Sequence, residues 1–266
     1  MPEPSALTDA IASYPPPAPR YKRLIRRLVS ERMRVRIWSA LASTPVVSEV
    51  YERLDPRARS LRVTRRTDML IDGYPRSANT YAVAAFDYAN GPGRMALSHH
   101  FHHVRQIERA VRLGIPAIVL IRDPREVLGS LVQFSSAYAP RRVLKSYQRF
   151  YKRVLPLAGE VVVADFEEVI SDFGSVIERC NEKFGTTFTR YLRTEESEQA
   201  VRKAIDRIAR QDSPEAFENK VSRPSAHRTS AEEIAAGLKP RDRAALARAS
   251  ALYAEVLARP QAASAR

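Results

Sequence analysis

The segment that most constrains this chain is Ala117-Ile118-Val119-Leu120-Ile121, five apolar residues in a row closed by Arg122-Asp123-Pro124. A strand with one face in water alternates apolar and polar residues. An unbroken run is a strand covered on both faces, as in parallel sheets. Parallel neighbours need long crossovers, usually helices, and the chain from residue 68 supplies them. Met69-Leu70-Ile71 reads as a strand, Met95–Ser98 as a short one, and Val161-Val162-Val163 within Glu160–Ala164 as another. Helical patterning is expected over 80–88, 104–113, 124–134, 141–157, 167–184, 195–210 and 230–258. The expected fold is α/β: three layers, with a central, mostly parallel sheet and helices on both faces.

Residues 1–66 read differently, as an N-terminal arm and a basic amphipathic helix ahead of an α/β domain over 67–266. Tyr14-Pro15-Pro16-Pro17-Ala18-Pro19 has the composition of an extended segment. Over residues 21–42, Ile25, Val29, Met33, Ile37 and Leu41 recur every four residues among arginines. The net charge is +14, and residues 1–66 hold 14 Lys and Arg against 6 Asp and Glu. The expected use of the 21–42 stripe is packing on the protein body, with peripheral contact to an anionic membrane as the alternative. No base-stacking or groove-reading motif accompanies the charge, so no specific nucleic-acid partner is expected. A single cysteine, Cys180, rules out an intrachain disulfide and a zinc-cysteine site. Its amphipathic setting marks a buried structural thiol. There is no leader pattern at the start and no apolar stretch approaching the roughly 20 residues of a spanning helix. The cytoplasm is the expected location.

Two strand ends carry chemistry. After the first strand comes Tyr74-Pro75-Arg76-Ser77-Ala78-Asn79-Thr80-Tyr81. Small and hydroxyl residues let the chain bend there, and the N–H groups opening the next helix favour an anion. Arg76 adds a forked positive charge, and Ser77 and Thr80 add hydroxyls. The competing reading is a plain strand–turn–helix with Ser77 or Asn79 as N-cap. The second Gly and the Gly-Lys-Ser/Thr ending of a nucleoside-triphosphate loop are missing. After the long apolar run, Asp123, Pro124 and Glu126 form a capping-box arrangement. Arg122 therefore sits at a strand's carboxyl end, where open α/β sheets bind ligands. Ser130 follows eight residues later, able to share one phosphate with Arg122 or merely to bond its own helix backbone.

The order YPRSANTY, SHHFHH, IRDPREVLGS resembles the sulfotransferases that use 3′-phosphoadenosine 5′-phosphosulfate (PAPS), in their bacterial-type branch, over roughly residues 68–185 with a weaker tail to about 230. The resemblance implies a P-loop-like fold, PAPS as donor and adenosine 3′,5′-bisphosphate (PAP) as product. It assigns the turn from Arg76 through Ser77, Ala78, Asn79, Thr80 and Tyr81 to the 5′-phosphosulfate and adenine. Arg76 stands where the family has a lysine at the bridging oxygen, Ala78 where it has glycine, and Tyr81 at the aromatic position over adenine. Arg122 and Ser130 fall to the 3′-phosphate, with Arg228 or Arg223 as the nearest C-terminal candidates for that phosphate. The family's general base is a histidine about 22 residues before the arginine, which selects His100, with His99 one residue away.

Four of the five histidines are His99, His100, His102 and His103. Neighbours in an extended segment point to opposite faces, so four converging metal ligands are not expected. His102 and His103 read as exposed or as acceptor contacts. Asp165 reads as a helix cap or a ligand-side residue. The acceptor is open among small alcohols, carbohydrates and lipids. The rival functions are a P-loop-type kinase or NTPase and a basic membrane- or nucleic-acid-binding module.

Overall fold

The computed structural model describes residues 29–30, 33, 45–135, 137–212 and 230–259. Four parallel strands make one sheet: β1 (Met69–Gly73), β2 (Leu97–His99), β3 (Ala117–Ile121) and β4 (Val162–Asp165), in the order β2-β1-β3-β4. Around it lie α1 (Pro45–Leu54), α2 (Pro56–Leu61), α3 (Asn79–Asn90), α4 (Arg105–Leu113), α5 (Pro124–Phe134) and α6 (Pro140–Val154). They are followed by α7 (Phe166–Phe184), α8 (Glu195–Asp212), α9 (Ala231–Ala236) and α10 (Pro240–Leu257).

The strands' period of two divides the core into two halves. Leu70, Val119, Ile121 and Val163 pack with residues of α4, α5, α6 and α10. Met69, Ile71, Ile118, Leu120, Val162 and Ala164 face the other way, onto α3, α7 and α8. The fold is thus α/β in three layers, as the unbroken apolar runs require. Each fully buried Leu or Ile contributes about 1.5–3 kcal/mol. Crossover geometry explains which helix takes which face. The chain moves from β1 to β2 in one direction and from β2 across to β3 in the other. Right-handed connections then put α3 and α4 on opposite faces.

Several elements differ from expectation. The second strand runs Leu97–His99, so His99 lies in the sheet and His100 just beyond it. The expected helix over 230–258 is two helices, parted at Gly237 and restarted by Pro240 at the first position of α10. The helix expected to 157 ends at Val154, and Leu155–Leu157 tighten into a 3-10 turn around Pro156. Asp165 caps α7, accepting from the Glu167 N–H and from the Tyr253 hydroxyl at 2.7 Å. Cys180 is fully buried, and burial pushes its thiol up to about 12.

Residues 45–66 dock beside the β2–α4 loop. Buried Glu52 meets His103 Nε2 at 3.2 Å, the Val63 N–H donates to Gln106 Oε1 at 2.9 Å, and Ala58 and Leu61 pack on Phe101. The helix expected over 21–42 lies almost wholly outside the described residues, as do Arg223 and Arg228. Among the described residues no helix is long and apolar enough to cross a membrane.

Candidate active site

The β1 and β3 chains leave the sheet toward opposite sides, one to β2 and the other to β4. Their carboxyl ends therefore border the crevice where this class of sheet binds ligands. Gly73 closes β1 against β3, and a Cβ there would stand 2.2 Å from the Leu120 carbonyl oxygen. The next residue, Tyr74, anchors the turn in the core. Its ring packs on Tyr147, Phe150 and Tyr151, and its hydroxyl donates to the Val143 carbonyl at 3.2 Å.

Between that anchor and α3 the backbone is strained. Arg76 (φ 72°) and Ala78 (φ 63°) are left-handed without being glycine, a conformation that costs about 1–2 kcal/mol per residue. Left-handed residues on either side of Ser77 are the kind of alternation from which anion-holding nests of backbone N–H groups are built. Neither candidate N-cap acts as one. Ala78 occupies the cap position with no side-chain bond, and the Asn79 amide donates back to the Tyr74 carbonyl at 3.1 Å. The first helical bond runs from the Ala82 N–H to the Ala78 carbonyl, so the Asn79, Thr80 and Tyr81 N–H groups have no acceptor within α3. Ser77 is fully buried beside the Tyr151 hydroxyl. Its Oγ meets no partner at full hydrogen-bond geometry among the described residues.

Two arginines converge on this turn. Arg76 Nε donates to Ser130 Oγ at 2.8 Å, and its guanidinium lies 5.4 Å from the Phe134 ring centroid. Arg122 lies over the Phe166 ring at 3.8 Å. It donates to the Arg76 carbonyl and to Glu126, each at 3.2 Å. Ser130 accepts from Arg76, and a hydroxyl that accepts still has its own proton to donate. Tyr147 and Tyr151 donate to the Arg122 and Leu120 carbonyls, both at 2.8 Å, fixing the end of β3. The capping box at α5 is not completed as expected. Asp123 caps the Arg125 N–H, but Glu126 turns back to Arg122, whose charge outweighs an N-cap amide as a partner.

The histidine loop comes in from β2. His99 is fully buried, with Nδ1 2.7 Å from Nδ1 of His100, and His100 Nε2 lies 3.1 Å from Thr80 Oγ1 in the first turn of α3. Opposite-face alternation fails past His99 because His100 (φ 59°) and His102 (φ 55°) are left-handed, which brings neighbouring rings together. His102 and His103 are not exposed. His103 pairs with Glu52, and His102 Nδ1 donates to the Gly73 carbonyl at 2.8 Å. Asp72, at the end of β1, holds the loop. Its carboxylate accepts the Phe101 and His102 N–H groups at 3.0 and 3.1 Å and its neighbour Gly73's at 2.9 Å. Burial pushes this carboxyl above the usual range, against the pull of His102 and these amides.

Tyr81, the residue implied for adenine, is tied to α8. Its hydroxyl donates to Glu198 at 2.5 Å, Tyr191 donates to the same oxygen at 3.1 Å, and the two rings meet edge-on. Burial first, then Glu198, raises the Tyr81 phenol far above its ordinary value.

The structure places Arg76, Ser77, Ala78, Asn79 and Thr80 in and after the turn that follows β1, with Arg76 joined to Ser130 and Arg122, Thr80 joined to His100, His99 beside His100, and Tyr81 turned toward α8. Asp72, Phe134, Phe166 and Glu198 were not anticipated. Phe134 had a readable signal, one turn after Ser130 on the same helix face. Phe166 had another, following a strand's carboxyl end. Among the described residues no group of three or more His, Cys, Asp or Glu is arranged to hold a metal ion.

No family model and no curated protein matches the chain in sequence. Among solved structures it is similar to mouse sulfotransferase SULT7A1 complexed with PAP, with a TM-score of 0.44 and 10% identity, over 71% of this chain and 85% of that one.

Proposed function

We propose that the protein is a sulfotransferase that passes the sulfuryl group of PAPS to a hydroxyl or amine acceptor. The observation that carries this reading is the union of Arg76, Ser130 and Arg122 at the uncapped start of α3. Two forked cations, a hydroxyl and a set of helix N–H donors at one switch point suit a ligand with two separated anionic groups. What supports a fit to the donor is the left-handed turn at Arg76 and Ala78 ahead of the uncapped α3, with Arg76 bonded to Ser130 beside it.

In the proposed reaction the acceptor's oxygen or nitrogen forms a bond to sulfur as the bond from sulfur to the bridging oxygen breaks. That bond's electron pair leaves with PAP, and the acceptor's proton passes to His100 Nε2. Charge develops on the sulfuryl and bridging oxygens, where Arg76, the α3 N–H groups and Thr80 stabilise it. Arg76 keeps its proton throughout and acts by charge alone. His100 rather than His99 is the base, because His99 is fully buried. We place the reaction in the cytoplasm, on a small-molecule, carbohydrate or lipid acceptor.

The rival P-loop kinase or NTPase would need the missing Gly-Lys-Ser/Thr ending. Thermal unfolding with PAP, AMP and ATP separates the two. PAP at 100 times its dissociation constant stabilises by about 2.7 kcal/mol, and AMP, lacking the 3′-phosphate, does far less. Equal shifts with PAP and ATP would sink the sulfotransferase reading.

A further inference from the structure

We infer that His99 is a positioning residue that fixes the tautomer and ring orientation of His100. The inference rests on the sulfotransferase reading only for what His100 does in turnover.

The two Nδ1 atoms are 2.7 Å apart, and the rings meet nearly edge to face at 82° with centroids 4.8 Å apart. At that distance one nitrogen carries a proton and the other accepts it. Two arrangements exist. If His99 donates, His100 carries its proton on Nε2 and offers no lone pair toward Thr80 or an acceptor hydroxyl. Protonating it further would set two N–H groups head to head. If His100 donates from Nδ1, its Nε2 lone pair faces Thr80 Oγ1 at 3.1 Å. It can then take a proton with the Nδ1 bond intact. A base at this position requires the second arrangement, with His99 unprotonated at Nδ1.

The fold supports this division of labour. His99 is the last residue of β2, fully buried and paired in register with Ile71, so its position is set by the sheet. His100 is partly exposed, so the acceptor's proton stays on the outer ring rather than placing a charge inside the core. The left-handed turn at His100 is what folds its ring back onto its predecessor, and Asp72 clamps the residues that follow. His102 completes the surround, its ring centroid 5.7 Å from that of His100.

The test is histidine ¹⁵N NMR of the whole protein with PAP, joined to kinetics. The expected spectrum shows His100 protonated at Nδ1 with a lone pair at Nε2, and His99 unprotonated at Nδ1. His99→Leu should keep the PAP stabilisation and KM but lose at least about tenfold in kcat, a part of the roughly 10²–10⁴ that a placed general base contributes. His99→Asn, whose carbonyl can take the place of Nδ1 as acceptor, should recover most of that loss. A wild-type His100 protonated at Nε2 overturns the inference, as does a folded His99→Leu enzyme with full kcat. If His99→Leu does not fold, the wild-type spectrum and the Asn variant still decide. Absence of any PAP stabilisation in the wild type would instead count against the sulfotransferase reading, while the tautomer remains readable.

Discussion

Replacing Arg122 with Ala removes at least three contacts at once, and the sizes of these three can be set apart. The guanidinium on Phe166 at 3.8 Å is a partly desolvated cation–π contact of about 1–2 kcal/mol. The bond to the Arg76 carbonyl at 3.2 Å adds about 1 kcal/mol. The pairing with half-exposed Glu126 adds about 0.5 kcal/mol at most. The unliganded variant should therefore lose about 2–3.5 kcal/mol, or roughly 4–14 °C in Tm at 2–4 °C per kcal/mol for a domain of this size. The ligand effect is larger in proportion. Hydrogen bonds to a charged group are worth about 1.5–3 kcal/mol each, so losing both bonds of this fork weakens PAP at least about 100-fold. At a concentration that gave the wild type about 2.7 kcal/mol, the variant would gain no more than about 0.4 kcal/mol. Differential scanning fluorimetry with and without PAP reads both numbers. Arg122→Lys keeps the charge without the fork or the stacking and should fall between. A folded Arg122→Ala protein that retains the full PAP shift refutes the assignment of this strand end to a phosphate.

Other positions give sharper tests of the fold around the crevice. Ala78→Val forces a β-branched residue into a left-handed conformation and should cost about 1–3 kcal/mol in urea unfolding, whereas Ala78→Gly should be near neutral or better. Equal stability of all three would show that the turn is not left-handed at residue 78. Glu52→Ala leaves His103 buried without its carboxylate and should cost about 1–3 kcal/mol, with faster amide exchange at Val63. Unchanged exchange there would mean that residues 45–66 are not held by this pair. Cys180 should resist thiol reagents in the native protein, since burial pushes its thiol up to about 12, and should react only on unfolding.

The fold was legible because its determinants are local. Ala117–Ile121 reads as a strand covered on both faces, and Asp123-Pro124 marked the start of the next helix. The split after Ala236 was missed although Gly237 and Pro240 signal it, since the apolar spacing continues across the break. The place of Arg122 just after β3 and of Ser130 on the next helix could be read from the sequence. The aromatic partners of the arginines left weaker marks, since the positions of Phe134 and Phe166 are suggestive but do not say which arginine each one meets. Phe134 and Phe166 meet them through tertiary packing, from two different helices. The histidine geometry was hidden for a different reason. Left-handed backbone at His100 and His102 carries no glycine to announce it, and it exists because the buried Asp72 carboxylate gathers the following N–H groups.

The proposed sulfuryl transfer from PAPS, at the carboxyl ends of β1 and β3, can be measured directly. The direct measurement is turnover of PAPS labelled at sulfur against a panel of alcohol, carbohydrate and lipid acceptors, with wild type and His100→Ala side by side. The expected result is label on an acceptor hydroxyl or amine with one PAP released per transfer, and loss of transfer in His100→Ala while its PAP stabilisation persists. No PAP formed with any acceptor, together with nucleotide-dependent release of phosphate from ATP, would contradict it.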